Sequence, residues 1–273
     1  MILAEQCSAL RLAVILLLAS AWMAAASPRE RISFDADWRF TKGDPADVHG
    51  QLDYQHIKDW MLLTALPFKK DAVSIPTVPA GPKPGEQVSC VQPDFDDSHW
   101  QALNLPHDWA IEGPFEQSLP GETAKLPYAG VGWYRKHFTL PASDTGRQIF
   151  LDVDGAMSFA AIWLRRHFVG GWPYGYASWR VDLTPFVNCR GTNVLAIRLD
   201  NPPESSRWYP GAGIYRNVWL VKTDPVHIGQ WGTQITYAPN SFPAGESVPT
   251  NVVHVRTTIE NQSRRAGDGI LET

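Results

Sequence analysis

The residues best suited to chemistry lie in one stretch, Asp200-Asn201-Pro202-Pro203-Glu204-Ser205-Ser206-Arg207-Trp208-Tyr209, where a strand pattern gives way to a proline-stiffened loop. It gathers carboxylates, an amide, a guanidinium and two aromatic rings. Sugars are held by such a set, with polar groups bonding the hydroxyls and ring faces covering the C–H surface of a pyranose. Asp200, Asn201, Arg207 and Trp208 are therefore the candidate substrate-binding residues. The competing reading is a loop fastened to the core by Trp208 and a local Asp200–Arg207 ion pair. The residues alone leave both open.

Two further motifs carry reactive residue types. In Pro106-His107-Asp108-Trp109 a carboxylate beside an imidazole could form half of an acid–base pair. Asp after His in such a turn more often caps backbone amides, and that structural role is expected here. Gly130-Val131-Gly132 leads into Trp133-Tyr134-Arg135-Lys136 with no helix after it, so it is no phosphate loop, and close backbone packing explains the glycines. The motifs call for no cofactor, and no metal ligand set or catalytic residue is assigned.

The elements that must position the loop are strands. Arg31 to Phe40 reads as an edge strand, and strand signals follow at Trp133 to Leu140, Ile149 to Val153, Phe159 to Leu164, Trp179 to Val181, Val194 to Leu199 and Val218 to Val221. No long helical periodicity separates them, which predicts an all-β sandwich rather than alternating βαβ units. Residues 43–92 are rich in Pro and Gly and read as an insertion packed on the sandwich, with a short helix around Tyr54 to Leu63. After Pro225 a second strand-rich unit begins, reaching Val252-Val253-His254-Val255. Its strands lack partners within the sequence, so the polypeptide is expected to continue beyond Thr273.

At the other end, the apolar run Leu12 to Ala19 followed by Ala24-Ala25-Ala26 reads as a signal peptide cleaved after Ala26. The run is far shorter than the roughly 20 residues needed to span a bilayer, so no membrane attachment is expected after cleavage. The mature chain is then exported, to the periplasm or the medium. Removal of Cys7 leaves Cys90 and Cys189, which either pair after export or both stay free; the sequence leaves both open and leans to free thiols because a domain of this size needs no staple. A net charge of −4 supplies no basic footprint for nucleic acid, whereas 12 Trp exceed what packing alone would explain and favour sugar or interface contacts.

Taken in order, Pro106-His107-Asp108-Trp109, Gly132-Trp133-Tyr134-Arg135-Lys136, Gly170-Gly171-Trp172-Pro173-Tyr174-Gly175-Tyr176, Val181-Asp182-Leu183-Thr184 and Arg207-Trp208-Tyr209-Pro210-Gly211-Ala212-Gly213-Ile214-Tyr215-Arg216-Asn217-Val218 resemble the sugar-binding domain of glycoside hydrolase family two, most closely that of bacterial β-galactosidases. The likeness covers about Arg31 to Lys222. It implies a jelly-roll sandwich, galactose-binding-domain-like, over residues 27–222, followed at 223–273 by the first strands of an immunoglobulin-like sandwich. It also implies that catalysis belongs to a later barrel of the same polypeptide, whose two glutamates are expected beyond Thr273. Such a retaining mechanism needs two carboxyls about 5 to 5.5 Å apart, and no such pair is read in this chain. The first domain of similar β-galactosidases sends a loop toward the barrel pocket, and Asp200 and Asn201 match that region while Arg207 and Trp208 share the loop. The chain is thus expected to position a β-galactoside or related glycoside and to be inactive alone; a free-standing carbohydrate-binding module or lectin is the alternative. Where the family would place Asn-Gly in a hairpin turn, this sequence has Arg165-Arg166, which is expected to widen or destabilise the turn.

Overall fold

The computed structural model describes residues 29–68, 77–239, 251–263, 265, 266 and 270. The proposed signal peptide, residues 1–26, therefore lies outside the described residues.

Among the described residues the strands are β1 (Arg29–Ser33), β2 (Trp38–Lys42), β3 (Gln101–Leu103), β4 (Gly130–Thr139), β5 (Gln148–Val153), β6 (Ala160–Leu164), β7 (His167–Trp172), β8 (Trp179–Asp182), β9 (Thr192–Asn201), β10 (Val218–Thr223), β11 (Val226–Pro239) and β12 (Asn251–Asn261), with one α-helix, α1 (Tyr54–Leu62), and short 3-10 turns between them. Two antiparallel sheets, ordered β1-β10-β5-β8 and β3-β2-β4-β9-β6-β7, form the sandwich. β11 and β12 form a ladder of their own.

Period-2 alternation explains how the central strands can be buried on both faces. Tyr134 on β4, Ile162 on β6 and Leu195, Ile197 and Leu199 on β9 point into the core between the sheets. Their neighbours Trp133, Ala161, Trp163 and Ala196 point outward, where Val48, Leu52, Ile57, Met61, Val88 and Cys90 cover them in a second apolar cluster. The Pro- and Gly-rich segment is thus a roof over the six-stranded sheet, with α1 where the sequence places a short helix. Its buried face is Ile57 and Met61, four residues apart on one side of the helix.

One expected edge strand is two strands. Asp37 takes a left-handed φ of 58°, breaking Arg31 to Phe40 so that β1 edges the smaller sheet while β2 lies inside the larger. Asp35 holds the crossover: its carboxylate accepts hydrogen bonds from the Val218 amide and the Asn217 side chain, each at 2.7 Å. Period-2 alternation cannot reveal such a break, because it depends on one carboxylate capping a distant strand.

The Arg165-Arg166 turn has not widened. Leu164 pairs with His167, and both arginines take positive φ, 48° and 73°, in the two-residue turn that Asn-Gly would fill. The Arg165 amide donates to the Val194 carbonyl at 2.8 Å, which ties the turn to β9. Cys90 and Cys189 are both free, and burial raises the Cys90 thiol to about 12, so it is inert as a nucleophile.

Candidate functional site

The loop after β9 is built from its neck outward. Asn201 is fully buried, and its side-chain amide donates to the Gly211 carbonyl at 2.8 Å and the Tyr128 carbonyl at 3.2 Å, drawing the two ends of the loop together. On the return limb, Gly213 (φ 127°) passes so close to His107 that a Cβ there would lie 2.5 Å from the His107 carbonyl oxygen, so only glycine fits. The His107 and Trp109 amides donate to the Ile214 and Ala212 carbonyls. Asp108 caps the Ala110 amide at 3.0 Å and accepts from the Tyr209 hydroxyl at 2.5 Å. The His-Asp motif is therefore a fastener for this loop. At Gly132 a Cβ would meet the Trp109 ring at 2.6 Å, which is the close packing expected of that glycine.

Asp200 sits at the mouth. Its backbone exchanges hydrogen bonds with Ser158, whose amide carbonyl and hydroxyl bind the Asp200 amide and carbonyl at 2.9 and 2.8 Å. Its carboxylate meets Arg198 at 3.4 Å, and Arg207 is not its partner. Arg198 points outward from β9 into the roof, almost fully buried, and binds both oxygens of Asp44 at 2.8 and 2.7 Å. Asp44 also accepts from the Trp133 indole at 2.8 Å, so that carboxylate is fully committed. Burial raises the Asp200 carboxyl above the ordinary carboxylate range, more than Arg198 lowers it, with Asp44 and Asp53 adding to the rise.

Arg207 and Trp208 lie on the exposed tip, and the Trp208 indole donates to the Tyr176 hydroxyl at 3.2 Å. The structure thus leaves Asp200 partly exposed at the strand end and Trp208 exposed on the loop tip, and turns Asn201 inward. The Arg198–Asp44 clamp behind Asp200 was not singled out from the sequence. Arg198 alternates with Ile197 and Leu199 on an apolar strand, and an arginine inside such a run was the available signal. A cleft of about 620 Å³ lies elsewhere, between α1, β7, β8 and the β11–β12 ladder, with Trp60, Phe168, Arg180 and Trp231 on its walls. It shares no lining residue with the Asp200 loop.

Residues 124–222 match the family model described as glycosyl hydrolase 2 galactose-binding domain-like. The chain is 38% identical over 240 residues to a β-galactosidase of Bacteroides ovatus, a match covering 87% of this chain and 22% of that protein. It is 25% identical over 211 residues to a β-glucuronidase of Formosa agariphila, covering 72% of this chain and 20% of that protein. Among solved structures it is similar to a glycosyl hydrolase family 2 member from Bacteroides cellulosilyticus, with TM-score 0.62, 30% identity and coverage of 87% of this chain and 25% of that one. The chain spans about a quarter or less of the length of these relatives. Motifs, sandwich and relatives agree: residues 124–222 form a galactose-binding-like domain of the glycosyl hydrolase 2 type, and the chain as a whole resembles part of the larger family-two enzymes.

Proposed function

We propose that this chain is the substrate-orienting front part of an exported β-galactosidase-like enzyme, and that it does not cleave glycosides by itself. The observation that carries the reading is the Asp200 carboxylate, presented at the mouth of a braced loop and held there by a buried arginine despite the unfavourable burial of its charge. A strand end that keeps such a carboxylate is spending stability on something other than the fold. Buried or half-buried polar contacts also discriminate strongly between sugars that differ by one hydroxyl. Asp200 is the group for such contacts, Asn201 shapes the loop that carries it, and Arg207 and Trp208 line the approach.

A retaining mechanism needs a second free carboxyl facing the first at about 5 to 5.5 Å. Of the acids beside Asp200, Asp44 has both oxygens on Arg198. In this reading catalysis belongs to a barrel of the same polypeptide, as the resemblance to family-two enzymes implies and as the much greater length of the relatives supports. Export rests on the apolar run and alanines before Ser27, and the chain isolated from the exporting cell should begin at Ser27. The purified chain should show no turnover of nitrophenyl β-galactoside or β-glucuronide. Turnover that disappears when an acidic residue of this chain is replaced would overturn the proposal.

A further inference from the structure

Three aromatic rings at the sandwich end that carries Asp200 are unusually exposed: Tyr174 at 60%, Tyr176 at 45% and Trp208 at 59%. They come from two separate loops, the one between β7 and β8 and the one after β9, and they touch. Tyr174 and Tyr176 pack edge to face with centroids 5.6 Å apart, and the Trp208 indole donates to the Tyr176 hydroxyl. The turn bearing the tyrosines is clamped on both sides. The Tyr215 hydroxyl donates to the Gly175 carbonyl at 2.8 Å, and a Cβ at Gly175 would lie 2.4 Å from the Met157 sulfur. The rings are thus preorganised, so a ligand would not have to order them.

The position of the cluster ties it to Asp200. Asp200 pairs with Ser158, and the next residue, Phe159, donates its amide to the Pro173 carbonyl at 3.2 Å. Two strand spacings, about 10 Å, therefore separate the Asp200 backbone from the start of the tyrosine turn. From these placements we infer that Tyr174, Tyr176 and Trp208 form a binding platform for a second sugar ring, the one bonded to the sugar that Asp200 contacts. The ligand class is a β-linked di- or oligosaccharide. Each ring pairs an apolar face with a polar edge, a phenol or an indole N–H, and Arg207 stands exposed beside Trp208. That alternation matches the C–H and O–H pattern of a pyranose, and the short span to Asp200 suits a sugar bonded to the one Asp200 contacts.

The inference rests on the proposed role of Asp200, and the test separates the two. The purified chain is titrated with lactose and with methyl β-galactoside while the indole N–H and tyrosine ring signals are followed by NMR. Lactose should shift the Trp208, Tyr174 and Tyr176 signals, whereas methyl β-galactoside should shift the Asp200 amide and leave the rings still. Trp208→Ala should weaken lactose binding about fivefold, the effect of losing one aromatic contact, and Trp208→Phe should restore most of it. Rings that ignore lactose, that respond equally to the monosaccharide, or an affinity unchanged in Trp208→Ala would overturn the platform. If only the Asp200 role is wrong, the rings still answer lactose while the Asp200 amide answers neither sugar.

Discussion

Arg135 on β4 and Arg198 on β9 make an instructive pair. Both point outward from the six-stranded sheet into the roof, both are essentially fully buried, and each grips a carboxylate contributed by the roof side. Arg135 is closed on itself. It donates to Asp97 at 2.7 Å and to the carbonyls of Cys90, Gln92 and Phe95, and His137 completes Asp97 at 2.9 Å. Burial raises the Asp97 carboxyl, but the bonds from Arg135 and His137 outweigh it and hold it below the ordinary range. Arg198 satisfies Asp44 and the Leu52 carbonyl, then leaves one edge for Asp200, at a longer distance. There burial outweighs the arginine and the carboxyl is raised. One clamp stabilises the fold. The other also holds a charge where a ligand can reach it.

The largest expected effect follows from breaking the closed clamp. Arg135→Met leaves Asp97 buried without its guanidinium and should destabilise the chain by about 3–5 kcal/mol in urea denaturation. Adding Asp97→Asn should recover a large part of that loss, since removing both charges is far milder than removing one. Arg198→Met should cost about 3 kcal/mol, with the further consequence that the Asp200 amide signal moves while the Asp97 signal does not.

A second pair of arginines sharpens the contrast, because Arg165 and Arg166 act through backbone geometry. Replacing them with Asn-Gly removes two strained left-handed residues from a turn of unchanged length and should stabilise the chain by about 1–2 kcal/mol, read as a higher midpoint. If the midpoint falls instead, the Arg165 side-chain bond to the Phe186 carbonyl outweighs the strain.

The smallest effect is the most diagnostic. Asp97, with its depressed carboxyl, contributes stability that is present above its unfolded pKa and lost as pH falls through the folded one. Asp200, with its raised carboxyl, is penalised only once pH has climbed past the unfolded value toward the folded one. Asp97→Asn should therefore destabilise at neutral pH and become harmless in acid. Asp200→Asn should stay within about 1 kcal/mol of the parent, with any gain confined to neutral pH.

Much of this was legible in the sequence, for physical reasons that can be named. β6 and β9 follow apolar runs that stay largely apolar because both faces are covered, β4, β5, β8 and β10 follow mixed or alternating strand signals, and α1 lies where a short helix is read around Tyr54 to Leu63. The loop after β9 was legible as a polar and aromatic connection through its residue types. The crossover at Asp37 was not, since it depends on Asp35 reaching Val218, nor was β7, whose Gly170-Gly171 lacks the usual strand character. The Arg198–Asp44 clamp joins residues 154 positions apart, beyond any local spacing rule. Asn201 shows the reverse error: its type suggests a ligand contact, and its burial makes it the latch of the loop.

The contrast between the clamps is tested most directly by following the carboxyl carbons of Asp97 and Asp200 by NMR through a pH titration of one sample. Asp97 should titrate below an unperturbed aspartate and Asp200 above it. Two carboxyls titrating together, or in the opposite order, would contradict the division between a closed clamp and one that leaves its second carboxylate partly exposed.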